Sequence, residues 1–183
     1  KARFGLPRLR HHARKFHNAT VVDVETRGKA MLTHFDNGWT IYSHNQLYGV
    51  WQVCARDEWP PTRRSLRLEL STDQDSALLY SASDISVWLT REVAQHPFLA
   101  KLGPDILAPS LDWRMLAARL REDRFRGRTL SALYLDQSFL AGSGNYLRSE
   151  ILFVAQLAPQ RIAGELSLAE RGRLARATLA IAG

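Results

Sequence analysis

The sequence predicts an α+β fold: an antiparallel β-sandwich or barrel over residues 1–108, then an all-α domain over 109–183. Three observations carry this reading. Alternating apolar residues and tight polar turns fill the first half. Helical spacing with capping residues fills the second. The change of character falls at a run of structure breakers, Gly103-Pro104-Asp105, with Pro109 just beyond.

Each element has its own warrant. Val21-Val22-Asp23-Val24 opens an alternating run that resumes after Gly28 as Lys29 to Phe35. Asp36-Asn37-Gly38 predicts a hairpin turn, because Asn and Gly tolerate positive φ, and Trp39 to His44 is the return strand. Leu66, Leu68 and Leu70 alternate with Arg67 and Glu69, turn at Asp73-Gln74-Asp75, and pair with Ala77 to Ser81. Four or five strands are expected. In the second half, Asp112 can cap a helix whose apolar face is Trp113, Leu116, Ala117 and Leu120. Leu130–Leu135 and Tyr146–Phe153 read as two more helices, joined through Ala141-Gly142-Ser143-Gly144-Asn145. Ser167 and Glu170 form a capping box that opens the last helix.

Composition narrows the class. The 183 residues are 45% hydrophobic and 23% charged, which argues against disorder, collagen-like repeats and coiled coils. The formal charge of +7 is unevenly spread: residues 1–30 carry 8 basic and 2 acidic groups, 31–112 carry 6 and 10, and 113–183 carry 11 and 6. Two basic blocks flanking an acidic middle suit an extended polyanion, as well as simple solubility. Cys54 is the sole cysteine, so an internal disulfide and a multi-thiolate zinc site are both excluded. Its scarcity fits a reducing, cytoplasmic compartment. No apolar run is long enough to span a bilayer, and the chain reads as part of something longer, without an initiator Met.

Two stretches carry the chemistry. Leu135-Asp136-Gln137 is followed by Gly142-Ser143-Gly144-Asn145 and Glu150. Glycines at a helix start let the backbone approach an anion, and Asn145, expected at the cap, can add an amide donor. A plain helix–helix turn accounts for the same residues. The second stretch is Glu25-Thr26-Arg27-Gly28-Lys29, with His44-Asn45-Gln46-Leu47-Tyr48-Gly49. It supplies a lone Lys at a strand start and a hairpin-end loop mixing amide, aliphatic and aromatic side chains, suited to entering a base stack. Among the other candidates, His11, His12 and His17 lie in a basic irregular stretch, and His34 and His44 suit strand hydrogen bonds. Asp84 and Asp105 suit turns, and Cys54 suits an inert core strand. The arginines 119, 121, 124, 126 and 128 form either a solvated helix face or a phosphate clamp.

These segments, with Ser81-Ala82-Ser83-Asp84 and His96-Pro97-Phe98-Leu99, occur in an order that resembles the bacterial endonuclease VIII branch of the formamidopyrimidine-DNA glycosylase family. The resemblance covers nearly the whole chain. It implies a β-sandwich domain, a helix–two-turn–helix domain and a C-terminal zinc finger, with damaged double-stranded DNA bound between domains. It also implies bifunctional base-excision repair: removal of oxidised pyrimidines, then strand cleavage by β,δ-elimination through a Schiff base. A bacterial, nucleoid-associated monomer with no membrane partner is expected. Lys29 matches the lysine that contacts phosphate and donates a proton. Gln46, Leu47 and Tyr48 match the loop that fills the duplex, and Asn145 matches the phosphate-binding asparagine. Lys101 falls where this branch has an arginine, which keeps the charge but loses the bidentate fork.

The departures concern the termini. The family uses an N-terminal proline amine as nucleophile, yet the chain opens Lys1-Ala2-Arg3 and contains no Pro-Glu-Gly start. With one cysteine, it also lacks the zinc finger and that finger's arginine. No cofactor is therefore expected within these residues, zinc belongs to the absent finger, and the 183-residue chain is expected to be inactive on its own. The alternative is a non-catalytic DNA-binding module, truncated or degenerate. A ribosomal RNA-binding protein is a more distant reading, disfavoured by the sandwich and by the Gln46-Leu47-Tyr48 loop.

Overall fold

The Asp36-Asn37-Gly38 turn forms as its residues dictate in the computed structural model, which describes all residues, Lys1–Gly183. Gly38 takes φ +78° and its N–H donates to Phe35 O at 3.1 Å. The strands on either side pair in register, from His34 with Thr40 to Ala30 with His44.

Eight strands form: β1 (Ala2–Phe4), β2 (Val21–Arg27), β3 (Ala30–Phe35), β4 (Trp39–His44), β5 (Val50–Ala55), β6 (Leu66–Ser71), β7 (Asp75–Tyr80) and β8 (Asp84–Leu89). They make two antiparallel four-stranded sheets, β1-β6-β7-β5 and β2-β3-β4-β8, which form a β-sandwich. The sequence reading of four or five strands falls short at both ends. Three residues are too few for β1 to show a period, and Asp84, taken for a turn residue, starts β8 opposite His44. Cys54 is corrected too: β5 is the edge strand of its sheet, so Cys54 is half-buried rather than core. The sandwich core gathers Phe4, Phe35, Ile41, Leu68, Leu79 and Ile85. A 3-10 helix, Pro7–Phe16, closes it by inserting Phe16 between Phe4 and Phe35, with ring centroids 5.9 and 4.7 Å away.

The chain divides into two units, Lys1–His96 and Pro97–Gly183. Residues 97–108 thus group with the helical half, whereas the breakers in the sequence place the change near 108. Backbone bonds explain the difference, since Gly103 N–H donates to Gln137 O (2.9 Å) and Ile106 N–H to Ala141 O (3.0 Å). The helical unit contains α1 (Trp113–Arg119), α2 (Leu130–Leu133), α3 (Asn145–Val154) and α4 (Leu168–Ala182). Asp112 caps α1 by accepting from Met115 N–H at 2.8 Å, and Ser167 with Glu170 forms the expected capping box on α4. The helical core gathers Leu116 of α1, Leu130 and Leu133 of α2, and Leu120, Tyr134 and Phe139 from the connections, with Ile151 and Leu174. Inside that core Tyr134 donates to Thr178 Oγ1 at 2.7 Å, and Thr178 donates on to Leu174 O. No helix is long and apolar enough to cross a membrane.

Two predictions follow from this packing. Tyr134→Phe removes a buried donor and leaves an acceptor on Thr178 unmatched, so denaturant unfolding should show a loss of about 1–2 kcal/mol in the helical unit. Acid should act first on the other unit. Burial holds His12, His44 and His96 below the ordinary imidazole value of 6.5. The unfolded chain then binds more protons than the folded one below that value, so stability rises with pH there and is lost as pH falls from about 6.5. In the helical unit, hydrogen bonds from Ser167 and Arg161 hold Glu170 at about 2, and those from Ser138 and Arg128 outweigh burial to lower Asp136. Their contribution is fully present above the ordinary carboxylate range and is lost only as pH falls below it. Amide-exchange protection, taken relative to the intrinsic rate at each pH, should therefore fall in residues 1–96 before residues 97–183 between pH 7 and pH 5.

Candidate nucleic-acid interface

The first cluster forms where β2, β3, β4 and β8 end together. Gly28, at φ +60°, makes the β2–β3 turn and leaves Lys29 at its exit. The ladder pairs Ala30 with His44 and His44 with Asp84, so Lys29, His44 and Asp84 share one end of one sheet. Lys29 is exposed and forms no ion pair, yet partial desolvation holds its ammonium below the ordinary lysine value. Its charge in turn lowers His44, reinforcing the larger effect of burial, while Asp84 pulls the other way. Behind them Tyr42 donates to Asp84 at 3.3 Å and stacks on His96 at 3.9 Å. An unpaired ammonium with a lowered proton affinity can both attract a phosphate and give up a proton.

Residues 45–49 join β4 to β5, which lie in different sheets, so this segment is a crossing rather than the hairpin end expected from sequence. The crossing is tight. Gly49 N–H donates to Asn45 O at 2.7 Å, and a Cβ on Gly49 would stand 2.5 Å from that oxygen and 2.6 Å from Asn45 Cα. Only glycine fits. Gln46 takes the left-handed conformation at φ +54°; its N–H donates to His44 Nδ1 at 3.0 Å, and its Oε1 accepts from Ser83 Oγ at 2.8 Å. Arg64 donates to Tyr48 O at 2.7 Å. The backbone is thus held while the side chains are not: Leu47 is 80% exposed and Tyr48 68%. Two large apolar side chains pinned outward suit insertion between bases.

In the helical unit the residues from Gln137 to Asn145 form a braced turn. The Gln137 side chain accepts from Gly142 N–H (3.0 Å) and donates to Ser143 O (2.9 Å). Ser143 donates to Tyr134 O, and Gly142 turns at φ +91°. Gly144, not Asn145, occupies the N-cap of α3; Asn145 is the first helical residue, because Gly144 is the one with extended backbone. No side chain caps this helix, and Asn145 and Tyr146 (92%) are exposed. First-turn amides beside an exposed Asn side chain suit an anion. Lys101 ends a 3-10 turn, Leu99–Lys101, and borders a groove of about 560 Å³ with Arg119 and Arg124. The segment that carries it joins the same braced turn through Gly103 and Gln137. Gly103 is confined there too, since a Cβ would meet Ser138 O at 2.4 Å.

Lys29, Gln46, Leu47 and Tyr48 therefore gather in one unit, and Lys101 and Asn145 in the other. The arginine run is not a helix face, because α1 ends at Arg119, and four of its five members pair within the unit, Arg121 being the exception. Arg119 spans Ser138 O, Phe139 O and Glu122, Arg128 pairs with Asp136, and Arg124 and Arg126 pair with Glu122 and Asp123. The His11 and His12 rings lie 3.9 Å apart, tilted by 40°, in the 3-10 helix. No group of three His, Cys, Asp or Glu side chains is placed to hold a metal, so a zinc site does not fit these residues. Sequence reasoning anticipated a hydrogen-bonding strand position for His44 but missed the roles of Ser83, Arg64 and the Gln137 side chain. The partner of Ser83 lies 37 residues away, whereas those of Gln137 are five and six residues on, within the same motif.

Comparison with known proteins identifies the family. Residues 4–83 match the formamidopyrimidine-DNA glycosylase N-terminal domain, and residues 102–182 match the formamidopyrimidine-DNA glycosylase H2TH domain. The chain is 49% identical over 178 residues to endonuclease 8 of Escherichia coli O17:K52:H18, covering 97% of this chain and 68% of that protein. Endonuclease 8 of Klebsiella pneumoniae is also 49% identical over 178 residues, with the same coverage. Among solved structures, Lactococcus lactis Fpg in complex with abasic-site DNA superposes with a TM-score of 0.85 at 17% identity, over 98% of this chain and 67% of that one. The same Fpg bound to DNA with an oxidised pyrimidine gives 0.84 at 17% identity, over 98% and 68%. At that identity the structures speak to the fold, while the sequence relatives speak to descent: the chain belongs to the formamidopyrimidine-DNA glycosylase family, whose members are DNA glycosylases.

Proposed function

We propose that this chain supplies the damage-probing and phosphate-binding surfaces of a base-excision repair glycosylase/AP lyase acting on oxidised pyrimidines in duplex DNA. The observation that carries the reading is the rigid crossing at residues 45–49, which holds Leu47 and Tyr48 in solvent. In this reading the two side chains fill the gap left by an extruded nucleotide, and Gln46 enters with them. Lys29, Lys101 and Asn145 grip phosphates, which position the protein without reading sequence. The named complexes of Lactococcus lactis Fpg with abasic-site and oxidised-pyrimidine DNA support DNA as the partner.

For the lyase step, Lys29 donates the proton that accompanies β-elimination. An α-amine outside residues 1–183, not a lysine, attacks C1′ and forms the Schiff base. Lys29 needs its proton for donation, and a bound phosphate would raise its proton affinity. In the same reading zinc sits in a finger beyond these residues, and no step here uses it.

Two experiments test this. In a titration of abasic-analogue and undamaged duplexes, Asn145→Ala should weaken both by about 1–2 kcal/mol, and affinity should fall steeply with salt. Replacing Leu47 and Tyr48 together by Gly should weaken the abasic duplex more than the undamaged one. Equal loss on both would make the crossing merely structural. Borohydride treatment of residues 1–183 with abasic DNA should trap no covalent adduct. Efficient trapping abolished by Lys29→Ala would instead make Lys29 the nucleophile.

A further inference from the structure

We infer that Ser83 is a specificity-determining positioning residue, acting through Gln46 to hold the 45–49 crossing ready for damaged DNA; this rests on the proposed probing role of that crossing. Gln46 has two restraints. Its main-chain N–H is bound by His44 Nδ1 from the preceding strand, and its side-chain Oε1 is bound by Ser83 Oγ, 37 residues away in sequence. His44 is held in β4 by its ladder partners Ala30 and Asp84, so its bond fixes the main chain of Gln46 to that strand, while Ser83 fixes the side chain. Ser83 is itself anchored. Arg8 Nη2 donates to Ser83 O at 2.9 Å and to Ile85 O at 3.3 Å, tying the Ser81–Asp84 corner to the 3-10 helix. The neighbouring Ser81 N–H donates to Ser65 O at 2.9 Å.

The chain of contacts therefore runs from Arg8 through Ser83 to Gln46, and every link is at or near the surface. None of these groups contributes to the buried core, so their arrangement stabilises the position of the crossing rather than the fold. Gln46 is a non-glycine residue in the left-handed region, a conformation that persists where surrounding contacts over-determine it. With Oε1 engaged by Ser83, the two amide hydrogens of Gln46 are left to donate to DNA. A crossing ordered before binding loses less conformational freedom on insertion. That gain appears only with DNA that accepts the insertion, so Ser83 acts on the preference for damaged over regular duplex.

The test measures binding to an abasic-analogue duplex and to the undamaged duplex at one salt concentration. Ser83→Ala should lower the ratio of the two affinities about fivefold, the scale of one side-chain hydrogen bond, with undamaged-duplex affinity and melting temperature unchanged. Ser83→Thr, which keeps the hydroxyl, should restore the ratio. In a Gln46→Met background Ser83→Ala should have no further effect, because its partner oxygen is gone. If Ser83→Ala leaves the ratio unchanged while the Leu47/Tyr48 glycine variant lowers it, this inference is wrong and the probing role stands. If neither variant alters the ratio, the probing role fails and the inference with it. A lowered melting temperature without rescue by Thr would make Ser83 structural and overturn the inference.

Discussion

The chain passes from one sheet of the sandwich to the other in five residues, and the functional end of that unit depends on this crossing being so short. Gly49 must approach Asn45 within van der Waals distance, which no side chain permits, and Gln46 must turn left-handed to make room. Once the backbone is committed to that path, Leu47 and Tyr48 have no core to enter. Their exposure follows from the geometry of the crossing and not from weak packing. Leaving two large apolar side chains in water costs on the order of 2 kcal/mol each relative to burying them. Burial in a base stack would recover part of it.

The helical unit solves a similar problem with polar groups. Its turn from Gln137 to Gly144 buries Phe139 and Leu140 in the core and adds hydrogen bonds that run inward. Ser143 reaches the carbonyl of Tyr134, whose own hydroxyl is bound to Thr178 in the core. Arg119, though one of five crowded arginines, is spent on carbonyls of the same turn. The start of α3 is thereby aimed by the core, and Asn145 is left at its open end. In both units a mobile-looking connection is made rigid, one by a steric requirement and the other by an inward network. The groups left facing solvent are those suited to DNA: apolar wedges in the first, donors and cations in the second.

The contrast in electrostatics is also local. Burial lowers the proton affinity of three histidines in the sandwich unit, whereas hydrogen bonds from backbone amides, side chains and arginines lower that of the perturbed carboxylates in the helical unit. Lys29 belongs with the first group: partial burial makes it a weaker base before any phosphate arrives. A proton donor is better poised near neutrality when its proton affinity is lowered, and binding to a phosphate then opposes that shift.

Much of this was legible in the residues. The Asp36-Asn37-Gly38 turn, the Leu66–Leu70 alternation, the Asp112 cap and the Ser167/Glu170 box specify local structure, because their physics involves neighbours within a few positions. The sandwich followed by helices, and the candidate residues Lys29, Gln46, Leu47, Tyr48, Lys101 and Asn145, could be named from pattern and resemblance. Strands β1 and β8 could not, since one is too short for a period and the other begins with an acid that reads as a turn. Nor could the linear order show that residues 45–49 cross between sheets, that Gly144 takes the cap from Asn145, or that Arg119 is bound to the carbonyls of Ser138 and Phe139. Ser83 reaches Gln46 across 37 residues and Gly103 meets Gln137 across 34, and such pairings arise only when packing brings distant backbone together. Local sequence determined the elements and the side chains they offer; tertiary structure decided which side chains stay exposed, because exposure depends on what the rest of the chain covers.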